Sequence, residues 1–250
     1  MGADFVAKSD PDGHTLLMAN TGTMTINPAI YPKNPYQTLR DFAPVARTAM
    51  QPLAIVVNAA VPANTWAEFV ALARKNPGRL NYASAGNGGI SHLVPEMLKA
   101  ATGTFIVHIP YRGSAPAFTD LLAGQVQMMA ESVPQASQYV KQGKLRALAV
   151  TSRERSAALP DTPTLHESGL KNFDVVGFYG VLAPVATPKA VVDKLAGAFK
   201  GALETPDIRS RMVAQGADPA YLGPDAFSLY LAAEMPKWAQ AVKDSGTKLD

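Results

Sequence analysis

Short apolar runs and amphipathic helical patterns take turns along most of the chain, and this alternation restricts the fold more than any other feature. Residues 15–19 (TLLMA) and 53–57 (LAIVV) are brief apolar segments bounded by turn residues, as buried strands are. A helix is predicted over 65–76, where Trp66, Phe69, Val70 and Ala73 share one face and Thr65 with Glu68 has the spacing of a capping box. Strand signals recur at 80–83, 105–109, 126–130 and 146–151, separated by helical patterns at 90–101, 115–122 and 135–142. Pro95 falls in or just after the first turn of the helix that opens at Ile90. Repeated strand then helix means an α/β fold with a parallel or mixed sheet and helices on both faces. Another strand is expected at 175–183, followed by helices at 189–203, from Thr205 with Pro206 in first position, and over 225–243, where Pro236 should introduce a kink. The segments 31–44 and 151–163 contain several prolines and read as long loops.

Composition removes several classes of function. At 250 residues, with 47% hydrophobic and 17% charged, the chain can bury a core and is not a disordered segment. Lys and Arg number 23 against 20 Asp and Glu, with no run of like charges, so there is no basic stripe for nucleic acid. The absence of cysteine excludes a disulfide framework and thiolate metal sites. No apolar run has the length of a membrane span, and residues 1–12 lack the basic start and hydrophobic stretch of an export signal. As written, the sequence is not expected to export or anchor the chain.

Chemistry points to the strand ends. The stretch 81–93, NYASAGNGGISHL, places Ala83, Ser84, Ala85, Gly86, Gly88, Gly89 and Ser91 between a strand and a helix. Ligands of open α/β sheets bind where such a loop feeds a helix N-terminus, and glycines let a carboxylate or phosphate approach unpaired N–H groups. Ser84 and Ser91 add hydroxyls. The same run also suits a plain tight connection, and it is neither a Walker A loop nor a GxGxxG fingerprint. Residues 20–27 (NTGTMTIN), with Thr21, Gly22 and Thr23, form a second polar loop after a strand, predicted to have open backbone, and 111–116 (YRGSAP) forms a third. Three such loops fit a ligand cleft better than three unrelated turns. Arg112 could pair with a carboxylate or be solvated. Of the four histidines, His92 could meet a ligand at the helix start or hydrogen-bond the backbone, and His108 reads as a satisfied core or interface residue. No HExxH, GxSxG or paired-carboxylate arrangement supports catalysis, and neither a cofactor nor a metal is implied.

Taken in order, PDGHTLLMANTGTMTINPAIY (11–31), DFAPVA (41–46), NPGRLNYASAGNGGISHL (76–93), IPYRGSAPAFTDLLAGQVQ (109–127), GKLRALAVTSRERSAALPDTPTLHESG (143–169) and FYGVLAPVATP (178–188) resemble the Bug, or TctC-like, solute receptors of tripartite tricarboxylate transporters. The resemblance runs from about Gly2 to the C-terminus. It implies a type II periplasmic binding protein fold: two α/β lobes, 1–52 with 175–250 and 53–174, closing by a hinge over a small carboxylate for delivery to a membrane permease. It further implies a ligand site formed by Ser84, Ala85, Gly86, Asn87, Gly88, Gly89, Ser91 and His92, faced by Thr21, Gly22 and Thr23, with Glu131 and Ser132 just after the strand at 126–130 and Phe178 near the returning crossover. Asp is the residue expected where Glu131 stands. Dicarboxylates, amino acids and aromatic acids all suit such a site. Family members are periplasmic and begin with a strand, a loop and a helix ahead of the segment matching Gly2, so the first lobe is expected to be truncated here. The competing expectations are an α/β enzyme acting on a similar acid and a shortened chain that binds nothing.

Overall fold

The computed structural model describes residues 2–214 and 217–247. In chain order it contains α1 (Gly2–Ala7), β1 (Leu17–Asn20), a π-helical turn (Gly22–Ile26), α2 (Asn27–Ile30), α3 (Thr38–Asp41), β2 (Phe42–Asn58), α4 (Trp66–Lys75) and β3 (Asn81–Ser84). There follow α5 (Ile90–Thr102), β4 (Val107–Pro110), α6 (Ser114–Leu122), β5 (Met128–Ser132), α7 (Val133–Lys141), β6 (Leu145–Val150) and β7 (Val176–Pro184). The chain ends with α8 (Lys189–Glu204), α9 (Pro206–Ala214), β8 (Asp218–Leu222) and α10 (Pro224–Ser245). It divides into two compact units, Met1–Met50 with Gly177–Asp250, and Gln51–Val176.

In the first unit the strand order is β1, β7, the first half of β2, then β8. β1 lies antiparallel to β7, from Leu17 opposite Leu182 to Asn20 opposite Tyr179, and β8 lies antiparallel to β2. Phe42, Phe178, Leu182, Phe227 and Leu231 form one buried cluster and Val45, Ala46, Val181, Ala183, Val192 and Ala196 another. A Cβ on Gly180 would stand 2.4 Å from the Phe227 ring and 3.0 Å from the Ala46 carbonyl oxygen, so the close packing of α10 on β7 requires glycine there.

The second unit is a mixed sheet ordered β6, the second half of β2, β5, β3, β4. β2 is antiparallel to β5 and β6, whereas β3 is parallel to both β4 and β5. On one face Val56, Ala83, Phe118, Leu121, Met129 and Val133 form a core with α6 and α7. Alternation along the strands turns Tyr82, Ser84, Met128, Ala130 and Ser132 to the other face, where α5 packs against β3 and β5. Each fully buried aliphatic side chain of α5, such as Leu93 or Val94, contributes about 1.5–3 kcal/mol to this packing. The parallel strands bring the carboxyl ends of β3, β4 and β5 to one edge.

Several elements depart from the sequence-based expectation. Residues 20–27 are not open backbone: the turn at Gly22–Ile26 is π-helical and continues into α2. Side-chain hydroxyls hold it, Thr25 donating to the Thr21 carbonyl at 2.6 Å, Tyr36 to that of Thr23 at 2.5 Å and Thr38 to that of Met24 at 2.6 Å. β2 begins at Phe42, inside the segment expected to be a loop, and runs for 17 residues because it serves both units. Glu131 and Ser132 are the last residues of β5 rather than the start of a loop beyond it. β8 was not expected; Pro219 masks it, and as an edge strand β8 tolerates a proline. At Thr65 the hydroxyl caps the Glu68 amide at 3.2 Å, but Glu68 reaches back to the amide of Asn64 at 2.6 Å, one residue earlier than a capping box requires.

Candidate functional site

Three strand ends of the second unit are tied to one another. Beyond Ser84 the chain leaves β3 through Ala85, Gly86, Asn87, Gly88 and Gly89, with Gly86 at φ +143° and Gly88 at φ +74°, conformations that favour glycine. The Tyr111 amide donates to the Ser84 carbonyl at 3.0 Å and the Gly113 amide to that of Ala85 at 3.0 Å, which fixes the loop after β4 against the loop after β3. Ser114, the first residue of α6, donates its hydroxyl to Glu131 Oε2 at 2.6 Å, and the other Glu131 oxygen accepts the Ser132 amide at 2.7 Å. Glu131 is buried, and its carboxylate binds the end of β5 to the start of α6.

Within the loop, short side chains take up some of the amides. Ser91 Oγ accepts from Ala85 N–H at 3.0 Å, Ser84 Oγ from Gly86 N–H at 3.2 Å, and His92 Nδ1 from Gly88 N–H at 3.0 Å. The amides of Asn87, Gly89, Ile90 and Ser91 have no protein acceptor among the described residues. These are the donors that a helix start leaves over, and with the α5 dipole they favour an anion. Ser132 supplies an independent pointer. Its side chain is on the α5 face at the carboxyl edge of β5, its residue is only 6% exposed, and its hydroxyl has no hydrogen-bond partner among the described residues. Burying a hydroxyl without a partner costs about 1–3 kcal/mol, which a ligand oxygen at this position recovers.

Beneath the loop lies an aromatic stack that sequence spacing does not reveal. Tyr82 and His108 are opposite one another on neighbouring parallel strands, with ring centroids 4.8 Å apart. The His92 ring, from α5, lies 3.9 Å from that of His108 with 8° between the planes. His108 Nε2 is 2.6 Å from Ser84 Oγ. The Tyr82 hydroxyl donates to Glu96 Oε1 at 2.5 Å, and Glu96 pairs with Lys99 at 2.7 Å. Burial lowers the pKa of both imidazoles: that of His108 falls to about 4, the neighbouring His92 adding to the effect, and that of His92 also falls, with Glu96 opposing the shift and Lys99 reinforcing it. Both rings are therefore neutral near neutral pH. Burial, with Glu96 beside the hydroxyl, raises the Tyr82 pKa.

The structure thus gathers Ser84, Ala85, Gly86, Asn87, Gly88, Gly89, Ser91, His92, Glu131 and Ser132 at one edge of the second unit, but with different roles. Ser84 and Gly88 are buried and engaged internally, whereas Asn87 is exposed and Gly89 half-buried. Thr21, Gly22, Thr23 and Phe178 belong to the first unit. Thr21 Oγ1 accepts the Phe178 amide at 2.8 Å, and Thr23 exchanges hydrogen bonds with Asn20, so both hydroxyls already hold the turn. The Phe178 side chain is only 1% exposed and sits edge-on to Phe227 and Tyr230. Its place is in the core, where it presents no surface to a ligand. Arg112 is exposed, and Asp120 accepts the Tyr111 hydroxyl at 2.7 Å. Ser114 comes from the third polar loop expected at the cleft, whereas Tyr82 and His108 were not expected at the site. The i, i+4 spacing of His92 and Glu96 was readable, but the registers that bring His108 under Ser84 were not.

Comparison with known proteins gives a consistent result. The family model described as "Tripartite tricarboxylate transporter family receptor" matches residues 1–247. A UPF0065 protein from the tcbD-tcbE intergenic region of Pseudomonas sp. (strain P51) is 38% identical over 243 residues, covering 97% of this chain and 72% of the relative. Protein BugT of Bordetella pertussis is 33% identical, covering 100% of this chain and 77% of BugT. Among solved structures, R. palustris Rpa4515 with adipate has a TM-score of 0.89 at 30% identity, over 98% of this chain and 82% of that one. The periplasmic binding protein BugD has a TM-score of 0.84 at 36% identity, over 98% and 83% of the two chains. MatC from Rhodopseudomonas palustris with bound malate has a TM-score of 0.82 at 31% identity, over 96% and 83%.

Proposed function

Because the chain belongs to the tripartite tricarboxylate transporter receptor family, whose members are solute-binding receptors rather than enzymes, we propose that it captures a small organic anion through a carboxylate held at the start of α5. The buried Ser132 hydroxyl, unpartnered among the described residues and on the sheet face that carries α5, together with the free amides of the α5 N-terminus, carries this reading. A carboxylate oxygen accepts from those amides and from Ser132 Oγ, gaining hydrogen bonds that the free protein lacks. No imidazolium is needed, since N–H dipoles supply the positive potential. The structural relatives with adipate and with malate support a dicarboxylate as the ligand class. In this reading the two compact units are the two lobes of the receptor. It acts in the periplasm and passes its ligand unchanged to the membrane permease subunits of a tripartite transporter.

The test is calorimetric titration of the protein with adipate, malate and succinate, with the corresponding diamides as uncharged controls. Saturable binding of an acid and none of its diamide supports the proposal. Equal binding of an acid and its diamide, or binding of none of the three acids, overturns the proposal.

A further inference from the structure

Two neutral imidazoles hold the binding loop from below, each by a different atom, and neither is used by the proposed capture of the anion. His92 Nδ1 accepts the amide of Gly88 at 3.0 Å, which requires that nitrogen to be unprotonated. His108 Nε2 lies 2.6 Å from Ser84 Oγ, the same oxygen that accepts the Gly86 amide. The two rings are stacked 3.9 Å apart. We propose that His92 and His108 are positioning residues for the 84–89 loop and that the loop keeps its anion-accepting shape only while His92 is neutral, so that the receptor loses affinity for its carboxylate on acidification. The inference rests on the carboxylate site proposed above.

The two histidines play unequal parts. A proton on His92 Nδ1 would set two donors against each other at Gly88, and Gly88, buried and at φ +74°, has no other acceptor among the described residues. The loop must then release that amide. A proton on His108 is compatible with Ser84 Oγ as acceptor, but it places a cation against the His92 ring and opposes a second one there. The charged and titratable groups facing the pair are Tyr82 from β3 and Glu96 and Lys99 from α5. Lys99, 5.6 Å above the Tyr82 ring, disfavours a proton, and Glu96 favours one while being shared between Lys99 and the Tyr82 hydroxyl. A bound anion also favours a proton on the rings. That attraction does not reverse the outcome, because the nitrogen that would carry the proton on His92 is turned to Gly88 and reaches the ligand only by giving up the loop.

The sign follows from the neutral rings. Affinity is flat where both are unprotonated and falls as pH drops below the ordinary imidazole range of about 6.5. Two variants separate this from protonation of the ligand itself. In His92→Asn the amide oxygen stands where Nδ1 stood and accepts from Gly88 without titrating; in His92→Ala no acceptor remains.

The deciding experiment follows the Gly88 amide and both imidazoles by NMR in the free protein from about pH 8 to about pH 4, and adipate affinity over the same range. The Gly88 amide shift should titrate with the His92 ring in wild type and stay flat in His92→Asn. Adipate affinity should fall at least about fivefold more in wild type than in His92→Asn, and His92→Ala should be weak at every pH. A Gly88 amide that ignores His92, equal pH profiles for wild type and His92→Asn, or tighter binding in acid would overturn the proposal. Should adipate not bind at any pH, the carboxylate reading fails for that ligand while the Gly88 titration still decides how the loop is held.

Discussion

Ser84 and Ser132 are both buried serines on the α5 face of the sheet, yet substitution to alanine should separate them. Ser84 Oγ accepts the Gly86 amide and contacts His108, so Ser84→Ala leaves a loop amide and an imidazole nitrogen without their partner. We expect a loss of roughly 1–3 kcal/mol in stability together with weaker binding of a dicarboxylate. Ser132 Oγ has no partner to lose. Ser132→Ala should therefore leave the unfolding midpoint within about 0.5 kcal/mol of wild type or slightly above it, while lowering dicarboxylate affinity by about 0.5–3 kcal/mol. Paired thermal melts and calorimetric titrations of the two variants check this. A destabilised Ser132→Ala, or one with undiminished affinity, would mean that its hydroxyl does not serve the ligand.

At the scale of elements, Gly180 in β7 sets how closely α10 approaches the sheet. Alanine there drives its methyl group against the Phe227 ring and the Ala46 carbonyl, and a backbone oxygen cannot step aside as a flexible side chain can. Gly180→Ala should cost about 1–3 kcal/mol in the first unit, measured by denaturant unfolding, and Gly180→Ala with Phe227→Leu should recover part of it. An unaffected midpoint for the single variant would show that β7 and α10 can move apart freely. The same elements show what could be read in advance. Helices such as α4, α5 and α8 announced themselves because one continuous apolar face decides them. The strands were visible as apolar runs, but their partners were not, since register depends on residues distant in sequence. The Ser84 loop was found as a run of small residues before a helix, whereas the stack of Tyr82, His108 and His92 exists only once β3 lies beside β4. Conversely, the polar pattern at 20–27 looked like an open loop because hydroxyls from Tyr36 and Thr38, far along the chain, are what satisfy its carbonyls.

Over the whole molecule, the imidazole pair gives the second unit a pH dependence of its own. His108 has a folded pKa of about 4 against an ordinary value of 6.5, so between these values the unfolded chain binds the proton that the folded chain refuses. The stability held by the neutral ring is complete above about pH 6.5 and is lost progressively as pH falls through about 4. His92, shifted in the same direction, adds to the loss, although two stacked rings do not titrate independently. The chain contains two tryptophans, Trp66 in the second unit and Trp238 in the first, so each unit has its own fluorescent reporter. This matters because two compact units need not unfold in one step. In a Trp238→Phe background, urea unfolding followed at Trp66 should show a midpoint that falls between about pH 7 and about pH 4.5, and His108→Gln should flatten much of that fall. Glutamine keeps a polar group near the position of Nε2 for Ser84 while removing the proton equilibrium. Carboxylates elsewhere titrate equally in both proteins, so the difference between the two curves isolates the imidazole. Parallel curves would mean that His108 carries its proton as readily in the folded unit as in the unfolded chain, and that the stack under the Ser84 loop imposes no acid limit on the second unit.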